Sequence, residues 1–203
     1  MMKLYYKAGA CSLASHIALR ESGLTFERES VDTQSKKTEK GRDYLAINPK
    51  GYVPALETDD GEVLTEGPAI LQYIGDRNPE SGLVPAAGTW ARCRLQEWLN
   101  FITSEIHKGF SPLLRPTTPD AYKVIAKELL VKRLDYVAQH LAGKTYLVGD
   151  EFTVADAYLF TVLNWRTRIG MDFDRWPVLE QYHARVAARP PVQAAMKAEE
   201  LIA

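Results

Sequence analysis

The sequence predicts an α/β domain followed by an all-helical bundle domain, and three observations carry that prediction. The first 77 residues alternate in type, residues 78–88 lose periodicity, and the remainder is helical almost throughout. Residues 4–6 read as a strand, 13–22 as a helix closed by Gly23, 26–31 as a strand and 42–47 as a short helix. Residues 54–58 and 62–65, joined by Asp59-Asp60-Gly61, have the composition of a hairpin with a glycine-containing turn. Pro68 suits the first turn of the next helix, where a missing N–H costs nothing. Ile70, Leu71 and Ile74 form that helix's apolar stripe before Asn78-Pro79 stops it. The order β-α-β-α-β-β-α implies a small mixed sheet with helices on its faces.

The proline- and glycine-rich stretch from Asn78 to Gly88 reads as a linker. Domains are therefore expected at 1–78 and 89–203, with 79–88 between them. Helices are expected at about 89–110, 119–141, 154–169, 178–188 and 191–201. Thr153-Val154-Ala155-Asp156 has the spacing of a capping box, with Asp in place of Glu or Gln, so Thr153 and Asp156 are assigned to folding.

Composition narrows the function. The chain has 203 residues, 46% of them hydrophobic, enough for a sizeable core. Twenty-five basic against 26 acidic side chains suggest neither a nucleic-acid surface nor an anionic membrane. The longest uncharged run, 8–19, is far short of the roughly 20 residues that span a bilayer. Lys7 interrupts the N-terminal apolar residues, which argues against a secretory signal, and two cysteines argue against a disulfide framework. A cytoplasmic protein is expected. The four histidines are scattered without metal-ligand spacing, and no glycine-rich phosphate loop or G-x-S-x-G motif is present.

Two features carry chemistry. Cys11 lies between the first strand and the first helix, where unpaired N–H groups and the positive end of the helix dipole favour a thiolate. A small buried apolar residue is the alternative reading. Position 14, where a dithiol motif would place a second cysteine, is Ala14, so disulfide chemistry at Cys11 needs an outside thiol. The second feature lies in 89–110. At 100° per residue Ala91, Leu95, Trp98, Leu99, Ile102 and Ile106 share one side, and Glu97, Asn100, Ser104 and His107 the other. That polar line is either a solvated face or the wall of a cleft. Cys93 is read as packing.

Taken together, several motifs resemble the cytosolic glutathione transferases over the whole chain. They are Cys11 before the first helix, Asn48-Pro49-Lys50-Gly51-Tyr52-Val53-Pro54, Leu64-Thr65-Glu66-Gly67-Pro68-Ala69-Ile70 and, in the helical part, Phe152-Thr153-Val154-Ala155-Asp156. Lys3-Leu4-Tyr5-Tyr6, Ala10-Cys11-Ser12-Leu13, Lys36-Lys37-Thr38, Trp98-Leu99-Asn100-Phe101 and Glu105-Ile106-His107-Lys108-Gly109 are similar to the bacterial beta class. The resemblance implies a thioredoxin-like first domain, a homodimer, no bound cofactor or metal, and glutathione as co-substrate.

Carried residue by residue, it implies a cis bond before Pro54, leaving the Val53 backbone to pair with the central residue of glutathione. Glu66 would take the γ-glutamyl ammonium, and backbone N–H groups at Gly67 the neighbouring carboxylate. The family often has Ser after this Glu, and Gly67 lacks that hydroxyl. Lys36 would meet the glycine carboxylate, unless 35–40 is simply a solvated charge run. Asn100, Ser104 and His107 match polar positions near thiol and ligand, with Cys11 and His107 as the catalytic pair. Tyr6, Phe110 and Trp165 are candidate walls for a small hydrophobic electrophile. Three functions follow as expectations: conjugation of glutathione to such electrophiles, glutathione-dependent thiol-disulfide reduction or peroxidase chemistry through a Cys11 mixed disulfide, and a non-catalytic or transcription-associated role on the same fold.

Overall fold

A computed structural model describes all residues, Met1–Ala203. The chain divides into two units, one formed by Met1–Val84 with Ala188–Ala203 and the other by Pro85–Ala187. The helical region expected to run to residue 203 thus gives up its last stretch to the first unit.

The first unit is built on five strands in the order β3-β2-β1-β4-β5: β1 Met2–Tyr6, β2 Phe26–Asp32, β3 Lys37–Thr38, β4 Ala55–Glu57 and β5 Val63–Thr65. β1 runs parallel to β2, with Met2 opposite Phe26, and antiparallel to β4, with Tyr5 opposite Ala55. Its central position explains why Leu4 and Tyr5, on opposite faces, are both fully buried. The short helix expected at 42–47 is a single 3-10 turn, Tyr44–Ala46, in which Asp43 accepts from Leu45 N–H. Tyr44, Val53, Ala55, Tyr5 and Val31 close a small core beneath it.

Helix α1, Ser12–Glu21, buries nearly its whole length, and α2, Gly67–Arg77, buries Ile70, Leu71 and Ile74 as their spacing predicts. The long-range feature absent from the sequence reading is α8, Pro190–Ala198, which returns to α1. Arg189 reaches Glu21 through two bonds of 2.6 and 2.8 Å, and Arg28 donates to Ala198 O at 3.0 Å. At its end, buried Glu199 accepts from the fully buried His16 (Nδ1–Oε1 2.9 Å) and from Gly9 N–H (3.0 Å). Arg20 Nε donates to His16 Nε2 at 2.9 Å, so Nδ1 carries the ring proton and the imidazole is neutral. Burial, the main influence, lowers the His16 pKa and agrees with that tautomer. Contact with Glu199 alone would suggest an ion pair, but the arginine donating to the other nitrogen decides for a neutral ring.

In the second unit, residues 89–110 do not form one α-helix. α3, Trp90–Phe101, passes into a π-helical segment, Ile102–His107, then α4, Lys108–Leu114. Lys108 N–H bonds to Thr103 O, five residues back, which is the π pattern. The hydroxyls of Thr103 and Ser104 take Leu99 O (2.8 Å) and Asn100 O (3.0 Å) where the turn widens. Ala91, expected on the apolar side, is exposed, while Leu95, Trp98, Leu99, Ile102 and Ile106 are buried. Cys93, expected in packing, is also exposed, because it falls on the outer face of α3.

α5 spans Asp120–Leu141, α6 Val154–Leu163 and α7 Pro177–Ala187. α6 is buried all round, as a helix apolar on every side must be, and a 3-10 stretch, Asn164–Ile169, continues it. At its start Asp156 accepts from Thr153 N–H and Oγ1, Leu147 N–H and Tyr182 OH, each at 2.9 Å. Burial raises its pKa against those four donors. Folding thus accounts for both Thr153 and Asp156. No helix is long and apolar enough to cross a membrane.

Candidate active site

Cys11 is the N-cap of α1 and half-buried. Its Sγ donates to Val53 O at 3.2 Å. Both ends of that contact are held in place by further hydrogen bonds. On the Cys11 side, Ser12 Oγ accepts from Lys7 N–H and donates to Lys7 O, each 3.1 Å, while Glu199 holds Gly9 N–H. Gly9 has φ +67 and a Cβ there would stand 3.3 Å from Leu201, so glycine suits both the turn and the returning chain end.

On the Val53 side, buried Asn48 makes an Asx turn to Lys50 N–H (3.1 Å) and donates to Tyr52 O (2.7 Å); Tyr44 OH also reaches Tyr52 O. The Val53–Pro54 bond is cis. Lys36 Nζ donates to Gly51 O at 2.6 Å, so the lysine read as a glycine-carboxylate contact braces the same loop.

Glu66 caps α2 with φ +71, in the left-handed region, and Lys36 has φ +58. Non-glycine residues pay for that conformation, and such outliers concentrate at ligand sites. The Glu66 carbonyl accepts from Ala69 and Ile70 N–H, both at 3.0 Å. Its carboxylate is held by Lys50 Nζ, which also donates to Thr65 Oγ1 at 2.9 Å. Gly67 is the first helical residue, followed by Pro68. Tyr6 lies within this unit with Arg28 5.0 Å above its ring and His16 6.3 Å away.

The remaining candidates lie in the second unit. Asn100 and Ser104 are exposed, as the polar line implies, but His107 leaves that line. The π segment turns it inward, where Nδ1 meets Tyr158 OH at 2.7 Å and the ring stands edge-on to Trp165 at 4.8 Å. Burial, with the Lys108 cation adding to it, lowers its pKa to about 4. His107 is therefore neutral near pH 7, able to share or accept a hydrogen bond but not a source of positive charge. Phe110 has no exposed surface and packs on Trp165, itself only 6% exposed. Core packing accounts for Phe110 in place of the expected role as a pocket wall.

Sequence reasoning missed Lys50, although it lies inside the Asn48–Pro54 motif, and missed the Glu199–His16–Arg20 chain of bonds, in which Glu199 and His16 are 183 residues apart. No group of three or more His, Cys, Asp or Glu side chains is placed to hold a metal.

A thiol at a helix start, a neighbouring loop carbonyl and a strained acidic cap thus stand together on a thioredoxin-like sheet. The profile for the glutathione S-transferase N-terminal domain matches residues 8–77, and that for the C-terminal domain matches 101–190. The chain is 50% identical over 200 residues to the Escherichia coli O157:H7 glutathione S-transferase GstA, covering 98% of this chain and all of that one. A crystal structure of a glutathione transferase from Methylococcus capsulatus superposes with TM-score 0.98 at 58% identity, over 100% of both chains. A sphingomonad glutathione S-transferase complexed with glutathione gives 0.95 at 50%, over 98% and 100%. A beta-class enzyme of Sphingomonas chungbukensis gives 0.96 at 47%, over the same shares. This chain belongs to the glutathione S-transferase family, and its likeness runs to the bacterial beta class.

Proposed function

We propose that the protein conjugates the thiol of glutathione to electrophilic carbons of small hydrophobic compounds. The observation that carries this is the Cys11 thiol at the N-terminus of α1, bonded to Val53 O on a loop braced by Lys36. In this reading Val53 pairs with the central residue of glutathione, Glu66 takes the γ-glutamyl ammonium, Gly67 N–H meets the adjacent carboxylate, and Lys36 meets the glycine carboxylate. Asn100, Ser104 and neutral His107 are proposed as further glutathione contacts, and Tyr6 and Trp165 as electrophile contacts. Glutathione is a co-substrate rather than a resident cofactor. The sphingomonad relative's complex with glutathione supports the ligand class. The direct test is conjugation of glutathione to a generic aryl halide: turnover with saturation in glutathione is expected, and neither turnover nor retention on immobilised glutathione would refute it.

The second reading, thiol-disulfide exchange, is favoured by Cys11 itself. A Cys11 thiolate attacks the glutathione sulfur of a substrate mixed disulfide, releases the substrate thiolate and forms the Cys11–glutathione disulfide; a reduced glutathione then attacks that disulfide, restores the Cys11 thiolate and leaves as oxidised glutathione. Ala14 supplies no internal resolving thiol.

A homodimer is proposed from the exposed apolar residues of α5, Tyr122, Ile125, Leu129 and Tyr136, beside an open groove of about 350 Å³ between α3 and α5 lined by Trp98 and Phe101. Light scattering at twice the chain mass supports it, and a monomer refutes it. A cytoplasmic location is proposed because both cysteines are free thiols; fractionation of the producing cells tests it.

A further inference from the structure

The Lys50 ammonium sits on the Glu66 carboxylate and on Thr65 Oγ1, at the strained cap of α2. Both charged side chains remain solvent-accessible, 43% for Lys50 and 55% for Glu66, so neither is locked into the core. The main chain at this helix start is poor in donors. Pro68 has no N–H, and the N–H groups of Ala69 and Ile70 both go to Glu66 O. Gly67 contributes an amide and no side chain. A zwitterionic head group carrying an ammonium and a carboxylate on one carbon therefore finds an acid at Glu66 but a single uncommitted first-turn amide for its own acid. The cation already on this cap is Lys50.

We propose that Lys50 is a specificity-determining residue that binds the α-carboxylate of the γ-glutamyl group while Glu66 takes its ammonium. This rests on the glutathione reading above and adds to it the recognition of the zwitterion as a pair of opposite charges. The Lys50 ammonium has three donors, so it can hold Thr65 and a ligand carboxylate together. The side chain projects from the Asn48–Gly51 turn, which Asn48 and Lys36 keep in place, so the cation is presented from a fixed base. Its pKa is raised, chiefly by the hydrogen bond to Glu66, so it is charged throughout the neutral range. The competing role is simple occupancy: Lys50 neutralises Glu66 in the free protein and must be displaced by the ligand ammonium. The two roles predict opposite effects of removing the charge.

Calorimetry on the full chain distinguishes them, with S-methylglutathione as an unreactive probe and its analogue in which 4-aminobutyryl replaces γ-glutamyl, removing only the α-carboxylate. Lys50→Met is expected to weaken S-methylglutathione binding about fivefold to tenfold. Lys50→Arg is expected to restore most of that loss. For the analogue, wild type and Lys50→Met are expected to bind alike. Unchanged or tighter binding of S-methylglutathione by Lys50→Met overturns the proposal in favour of occupancy, and an equal loss for both ligands overturns it because the α-carboxylate is then not what Lys50 meets. Failure of the wild type to bind S-methylglutathione at all overturns the glutathione reading itself.

Discussion

The surroundings of Cys11 and of His107 are built in opposite ways. Cys11 is half-buried and its thiol bonds to a main-chain carbonyl, Val53 O, held by turns, a glycine at positive φ and a lysine on Gly51 O. His107 is largely withdrawn from water and its partners are side chains, Tyr158 and Trp165, reached through a π turn. A site held through its main chain depends on the groups that fix that chain; a site held by side chains depends on each one. The first should answer most strongly to mutations that loosen the chain trace, the second to those that alter one ring or its charge.

Loosening the chain trace gives the largest expected effect. Glu199→Ala leaves His16 Nδ1–H and Gly9 N–H without their buried acceptor, a loss of about 3 kcal/mol in unfolding free energy by denaturant titration. Alkylation of Cys11 should change as well. An undiminished denaturation midpoint would show that α8 is not what holds the Gly9 turn.

Acidification should act through the buried histidines, His16 in the first unit and His107 and His183 in the second. His107 and His183 both have pKa values lowered to about 4 by burial, against 6.5 when unfolded. Above pH 6.5 both are neutral in either state. Between 6.5 and about 4 the unfolded chain takes up protons that the native one refuses, so stability falls by at most about 3 kcal/mol per histidine. Melting temperature against pH checks this, and His107→Phe should flatten part of the fall. The same variant keeps the ring volume but removes the bond to Tyr158; turnover is expected to drop about tenfold with little change in KM. The smallest effect should come from Lys36→Met, about threefold weaker binding of S-methylglutathione, since partly exposed charge contacts contribute little. A tenfold or larger loss would show that bracing Gly51, rather than meeting a carboxylate, is the lysine's main task.

The two regions were also unequally legible. The Cys11 surroundings depend on local devices that leave marks in sequence: a cysteine before a helix, Asn48-Pro49-Lys50-Gly51, Val53-Pro54, and a proline after Glu66-Gly67. Strands β1, β2, β4 and β5, α1, α2 and the cap at Thr153 follow from equally local patterns, whereas the two-residue β3, Lys37–Thr38, was not foreseen. The π segment leaves no such mark, because the apolar spacing of Leu95 to Ile106 fits an α-helix well enough, and only hydrogen bonding reveals the added residue. That one residue turns His107 from the outer line onto Tyr158. The return of α8 to α1 and the bond from His16 to Glu199 depend on partners far away in the chain, and the positive φ of Lys36 and Glu66 leaves no mark in the residue types. Lys50 was visible as a letter but not as the partner of Glu66.

The central claim is that Cys11 meets the sulfur of glutathione, and intact-mass measurement after incubation with oxidised glutathione tests it most directly. Cys93 is exposed and must first be replaced by Ala so that it cannot take up the label. In that background the protein should gain the mass of one glutathione, reversed by excess reduced glutathione, and the further change Cys11→Ala should abolish the gain. No adduct with Cys11 intact, or an adduct that persists in Cys11→Ala, would contradict the account.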